Sequence, residues 1–118
     1  MSELTDGLTK AGIDQAKRHI FICIGDKCCP EPKGRDELWD YIKRRVRETG
    51  VPAMRTKADC FRVCVGGPWL VVYPEGLWYG GVTPERFERI LQQHLVGGQP
   101  VAEWIAAKND LECSSASN

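Results

Sequence analysis

The chain has no excess of charge of either sign: sixteen lysines and arginines balance sixteen aspartates and glutamates among its 118 residues. A balanced chain offers no broad field to a nucleic-acid backbone or an anionic membrane surface, so neither partner is expected. Long apolar runs are missing as well. Residues 1–18 mix Glu3, Asp6, Lys10, Asp14 and Lys17 with few apolar positions, unlike a secretory signal, and no segment reaches transmembrane length. A cytoplasmic protein is expected. Histidine is reduced to His19 and His94, and neither falls among the cysteine pairs, which argues against a two-histidine Rieske centre. There is no glycine-rich phosphate loop, no Ser/His/Asp set and no internal repeat.

What the chain does have is one domain's worth of sequence with an ordinary apolar fraction. Residues 1–18 are polar, carry Gly7 and Gly12, and read as a flexible lead-in. His19-Ile-Phe-Ile-Cys-Ile24 is a short β-branched run closed by Gly25, as a buried strand would be. From Arg35 to Thr49, Leu38, Trp39, Ile42 and Val46 fall at helical spacing, with Asp36 as cap and Gly50 as stop. Val51–Lys57 reads as a second strand with Pro52 near its start. Trp69–Tyr73 and Trp78-Tyr79 flank a turn at Glu75-Gly76 and predict a hairpin. Thr83-Pro84-Glu85 opens a helix whose apolar face is Phe87, Ile90, Leu91 and Leu95, ending at Gly97-Gly98. Residues 101–107 read as a last short helix, and residues 108–118 as a disordered tail. The order is that of an α/β protein: a small mixed sheet with flanking helices.

Four cysteines form two pairs, Cys23-x4-Cys28 and Cys60-x3-Cys64, each in a loop beside a predicted strand. Four soft thiolates can complete a tetrathiolate site for zinc or an iron–sulfur cluster. Structural zinc usually takes C-x2-C knuckles, and neither pair has that spacing. The plant-type ferredoxin run C-x4-C-x2-C is absent, as is the C-x-x-C of thiol–disulfide exchange. Spacing favours an iron–sulfur cluster over zinc, and structural thiols without metal are a third reading. Gly25, Gly66 and Gly67 would let backbone amides approach the sulfurs.

These residues resemble a known family, the thioredoxin-like [2Fe-2S] ferredoxins, related to the small two-iron subunit of NADH dehydrogenase. The likeness runs from His19 to Val101. It rests on His19-Ile-Phe-Ile-Cys23, on Cys60-x3-Cys64, and on Gly67-Pro68 before Trp69-Leu-Val-Val-Tyr73-Pro-Glu-Gly-Leu-Trp78-Tyr79. Val82-Thr-Pro-Glu85 and the close from His94-Leu95 to Val101 extend it. The resemblance implies a thioredoxin-like sheet over residues 19–107 and one-electron transfer through a [2Fe-2S] cluster on Cys23, Cys28, Cys60 and Cys64. It implies a reductase and an acceptor enzyme as redox partners, no bond chemistry on a substrate, and homodimers, which are common among members.

In that family the second ligand stands four residues before a helix-opening glycine. Here Cys28 and Cys29 stand six and five residues before Gly34. The x4 gap favours Cys28 and the distance to Gly34 favours Cys29, so Cys28 is taken as the ligand and Cys29 as its alternative. Cys113 lies outside the likeness and reads as an incidental thiol. The competing functions are a zinc-stabilised binding module on the same four cysteines and a thiol oxidoreductase using Cys28 or Cys29.

Lys27, Arg55, Lys57 and Arg62 lie in or near the cysteine loops. They form either a solvated basic face or a field that favours the reduced cluster, Arg62 above all. His94 reads as a last-turn residue facing the helix dipole and His19 as structural. Trp69, Trp78 and Tyr79 read as packing rather than an electron path. The basic run beside Trp39 and Tyr41 reads as a wet helix face.

Overall fold

The computed structural model describes residues 2–25, 32–63, 65–109 and 111. Helix α1 (Ser2–Ala11) forms where a flexible lead-in was expected. Glu3 in its first turn and Lys10 in its last complement the helix dipole, and Gly12 closes it with φ of 82°. Leu4 and Leu8, one turn apart, remain exposed.

Strand β1 (Arg18–Cys23) buries Ile20, Ile22 and Cys23. Helix α2 (Pro32–Thr49) starts ahead of the predicted Asp36 cap, because proline is well suited to a first helical position. Its buried stripe is Leu38, Ile42 and Val46, and Gly50 stops it with φ of 68°. Strand β2 (Ala53–Ala58) begins directly after Pro52. Strands β3 (Leu70–Tyr73) and β4 (Leu77–Tyr79) make the predicted hairpin; Gly76 takes φ of 69° and donates to Val72 O at 2.7 Å.

Helix α3 (Pro84–Ile90) is capped by Thr83, whose hydroxyl accepts from Arg86 N at 3.2 Å. It continues as a π-helical turn over Leu91–Val96 and stops at Gly97-Gly98, as expected. Residues 101–107 depart from the predicted helix. Only Ala102–Trp104 coil, as a 3-10 turn, and Ile105–Lys108 form strand β5. The Arg86 and Arg89 guanidiniums lie 4.7 and 4.6 Å from the centre of the Trp104 ring, and the strand that follows pairs with the edge of β4.

The five strands are ordered β2-β1-β3-β4-β5, with β1 and β2 parallel and every other pair antiparallel. The core joins Ile20, Ile22, Leu70, Val72, Leu77 and Tyr79 to apolar side chains of α2, α3 and the π turn. Across those helices Glu88 accepts from Arg45 Nε at 2.8 Å and from Tyr41 Oη at 2.6 Å. The Arg45 guanidinium, aided by Tyr41 and Gln92 and opposed by partial burial, lowers the Glu88 carboxyl to about 2. Among the described residues no helix is long and apolar enough to cross a membrane.

Candidate metal centre

Parallel pairing of β1 with β2 sets the position of the centre. Cys23 is the last residue of β1 and pairs with Ala58, the last of β2, so both chains leave the sheet side by side. Ile24 N donates to Ala58 O at 2.9 Å, and one residue further Gly25 lies against the Asp59 carbonyl. A β-carbon at Gly25 would fall on that oxygen. Cys60 follows at once, and it is exposed where Cys23 is buried.

Both sulfurs accept backbone hydrogen bonds. Arg62 N donates to Cys60 Sγ at 3.0 Å, an approach made by turning Arg62 into the left-handed region at φ of 69°. Trp69 N donates to Cys23 Sγ at 3.1 Å, while Trp69 O accepts from Cys23 N at 3.0 Å. The Trp69 indole reaches back to Val65 O at 2.9 Å. Gly66, with φ of 78°, accepts from Gly81 N at 2.7 Å, and the Gly67–Pro68 bond is cis. Three segments therefore meet at one end of the sheet: the exit of β1, the run after β2 and the entry to β3.

Cys28, Cys29, Cys64, Cys113 and Lys27 lie outside the described residues. Within the described set no three His, Cys, Asp or Glu side chains gather as a metal site, and Cys23 and Cys60 are free of disulfides. Arg55, Lys57 and Arg62 are exposed, and Lys57 sits 5.9 Å from the Trp39 ring. A cleft of about 380 Å³ opens there between Ile24, Arg35, Trp39, Lys57 and Asp59. The rim mixes Arg35 and Lys57 with Asp36 and Asp59.

The donors suit a thiolate-held cluster. Iron–sulfur ligands are tuned by amide N–H groups directed at sulfur, and two such contacts are in place before any metal is considered. The bare α-carbon of Gly25 allows the two cysteine-bearing segments to close.

His94 belongs elsewhere. It stands in the last turn, as expected, but is fully buried. Val101 N donates to Tyr79 Oη at 3.0 Å, so the Tyr79 hydroxyl gives its own proton to His94 Nδ1 at 2.9 Å. Nε2–H is then donated to Glu75 Oε2 at 3.0 Å, and Arg18 Nε donates to the same oxygen at 2.9 Å. Burial pushes the imidazole below its ordinary value despite the carboxylate beside it. Burial would raise Glu75, yet bonds from His94, its own backbone and Arg18 outweigh it and hold that carboxyl low. With both ring nitrogens engaged, His94 has no lone pair for a metal. The signal was in the sequence: His94 stands seven residues after Phe87 and three after Leu91, on the buried face of the helix. His19 is structural; its ring stacks on Phe21 with centroids 4.3 Å apart and meets Thr56 Oγ1 at 2.8 Å. The part of Trp69 in joining segments was missed, since an indole bond to a backbone carbonyl leaves no periodic trace.

No family model matches the chain. It is 31% identical over 100 residues to a 2Fe-2S ferredoxin of Aquifex aeolicus, covering 77% of this chain and 90% of that protein. It is 33% identical over 97 residues to a 2Fe-2S ferredoxin of Clostridium pasteurianum, covering 72% and 91% respectively. A solved thioredoxin-like [2Fe-2S] ferredoxin from Aquifex aeolicus superposes with a TM-score of 0.68 at 30% identity, over 80% of this chain and 94% of that one. These likenesses favour the ferredoxin reading over the zinc module and the thiol oxidoreductase. By sequence and by fold, the chain belongs to the thioredoxin-like [2Fe-2S] ferredoxins, which are electron carriers and not enzymes.

Proposed function

We propose that this chain carries single electrons on a [2Fe-2S] cluster held by Cys23, Cys28, Cys60 and Cys64, with Cys29 as the alternative to Cys28. The observation that supports it most is the closure of the two cysteine-bearing segments at Gly25 and Asp59, with both described sulfurs accepting backbone N–H groups. When bound, the cluster supplies a one-electron couple; the protein supplies sulfur, amide dipoles and a nearly fixed frame. Cys60 lies exposed, which suits transfer across a protein–protein contact. A reductase as donor, an acceptor enzyme, a homodimeric state and a cytoplasmic setting complete the reading.

Anaerobically purified protein should be red-brown, contain iron and acid-labile sulfide in equal amounts, and give an electron-spin resonance signal on reduction. Colourless protein carrying zinc would sink the assignment. Serine at Cys28 and at Cys29, one at a time, decides the second ligand: only the true ligand's replacement alters the spectrum.

A further inference from the structure

We infer that Trp69 is a positioning residue for the redox centre, setting its reduction potential by tying Cys23 to the segment that follows Cys60. This rests on the proposal that both cysteines are ligands. Trp69 bonds in both directions at once. Its backbone N–H is aimed at Cys23 Sγ at 3.1 Å, and its indole N–H at Val65 O at 2.9 Å. No other described residue donates to Cys23 Sγ from a separate segment and also grips the run between Cys60 and β3.

The ring is held in a fitted slot. A β-carbon at Gly80 would lie 3.0 Å from Cη2 and Cζ3 of Trp69 and 3.2 Å from Gly66 O, so glycine there leaves room for the indole. Trp78 meets the ring edge-on with centroids 6.4 Å apart, and Phe61, next to Cys60, meets Trp78 at 5.6 Å. These contacts surround the ring on the protein side, and its bond to Val65 O lies at the surface.

Adding an electron makes the centre more negative, and an N–H dipole directed at a ligand sulfur favours that state. Without the indole bond, the Val65 segment and the Trp69 backbone are free to drift apart, and the Cys23 contact lengthens. The reduced form then loses stabilisation and the potential falls.

The test is Trp69→Phe, which keeps a ring and the backbone N–H but removes the indole donor. Electrons come from dithionite through mediators, one per centre, and the midpoint is followed by electron-spin resonance. The equilibrium constant for reduction should fall about fivefold, the worth of one hydrogen bond, with the melting temperature of the apoprotein nearly unchanged. Gly80→Ala, which presses on the ring from below, should also move the midpoint and serves if Trp69→Phe does not fold. Trp104→Phe, which alters an indole packed on Arg86 and Arg89 and not on the segments at the centre, should leave the midpoint in place. Wild-type midpoints in both Trp69→Phe and Gly80→Ala, or an equal shift in Trp104→Phe, overturn the inference. Cys23→Ser and Cys60→Ser run beside them: unaltered spectra there overturn the ligand assignment and the tie together, whereas altered spectra with an unmoved Trp69→Phe midpoint overturn the tie alone.

Discussion

Gly25 and Asp59 touch so closely that no methyl group fits between them. They are the contact through which the exits of β1 and β2 stay together, and Cys23 and Cys60 stand two and one residues away. Gly25→Ala should therefore open the pocket without unfolding the sheet. The expected result is less than half the wild-type iron and sulfide per chain, with the far-ultraviolet dichroism retained. Full occupancy in the variant would show that the contact has no bearing on the centre.

Arg62 combines a positive φ, a backbone bond to Cys60 and an exposed guanidinium. Arg62→Ala keeps the N–H and removes the charge, so the midpoint should drop and the rate with an acidic redox partner should slow. Arg62→Gly relieves a left-handed strain of roughly 1 kcal/mol and should share the lower midpoint while melting higher. An unchanged midpoint in both would reduce Arg62 to a solvated side chain.

Tyr79 Oη joins Val101 N to His94 Nδ1 inside the core. Tyr79→Phe keeps the ring and leaves a buried donor and a buried acceptor unpaired. Stability should fall by about 2–3 kcal/mol. Denaturant unfolding of the apoprotein measures this, and a loss under 0.5 kcal/mol, far below the roughly 1 kcal/mol of one such bond, would contradict the network.

The buried His94 makes stability depend on pH in a stated direction. Burial holds its folded imidazole below the ordinary histidine value of about 6.5, so the unfolded chain takes up the proton first. The stabilisation is complete above pH 6.5 and is lost as pH falls from there towards the folded value. Glu75 and Glu88, both lowered, act only below about 4.5, and His19, lowered by partial burial, shares the upper leg. Melting temperatures between pH 8 and 5.5 should decline, and His94→Gln should flatten that decline by more than His19→Gln does. Equal slopes in wild type and His94→Gln would refute it.

The sequence carried those features whose cause is local. Thr83-Pro84 announces a helix because cap and ring act within one turn, and Glu75-Gly76 announces a hairpin because glycine alone takes its φ cheaply. Strand β5 was misread because nothing in Ile105–Lys108 shows that β4 has an open edge; the partner decides. Helix α1 was not expected because the segment is polar and carries Gly7 and Gly12, which disfavour a helix locally. At the centre the cysteine spacing showed what the site could hold, while the contacts that draw Cys23 and Cys60 together come from parallel register. His94 does stand in the last turn, as its position along the helix showed, while its bonds to Tyr79 and Glu75 follow from its place around the helix.

Cys23 is sealed in the core and Cys60 faces water. Of these two described thiols one is open to reagents: in metal-free protein an alkylating reagent marks Cys60 long before Cys23, and oxygen takes the same order between them.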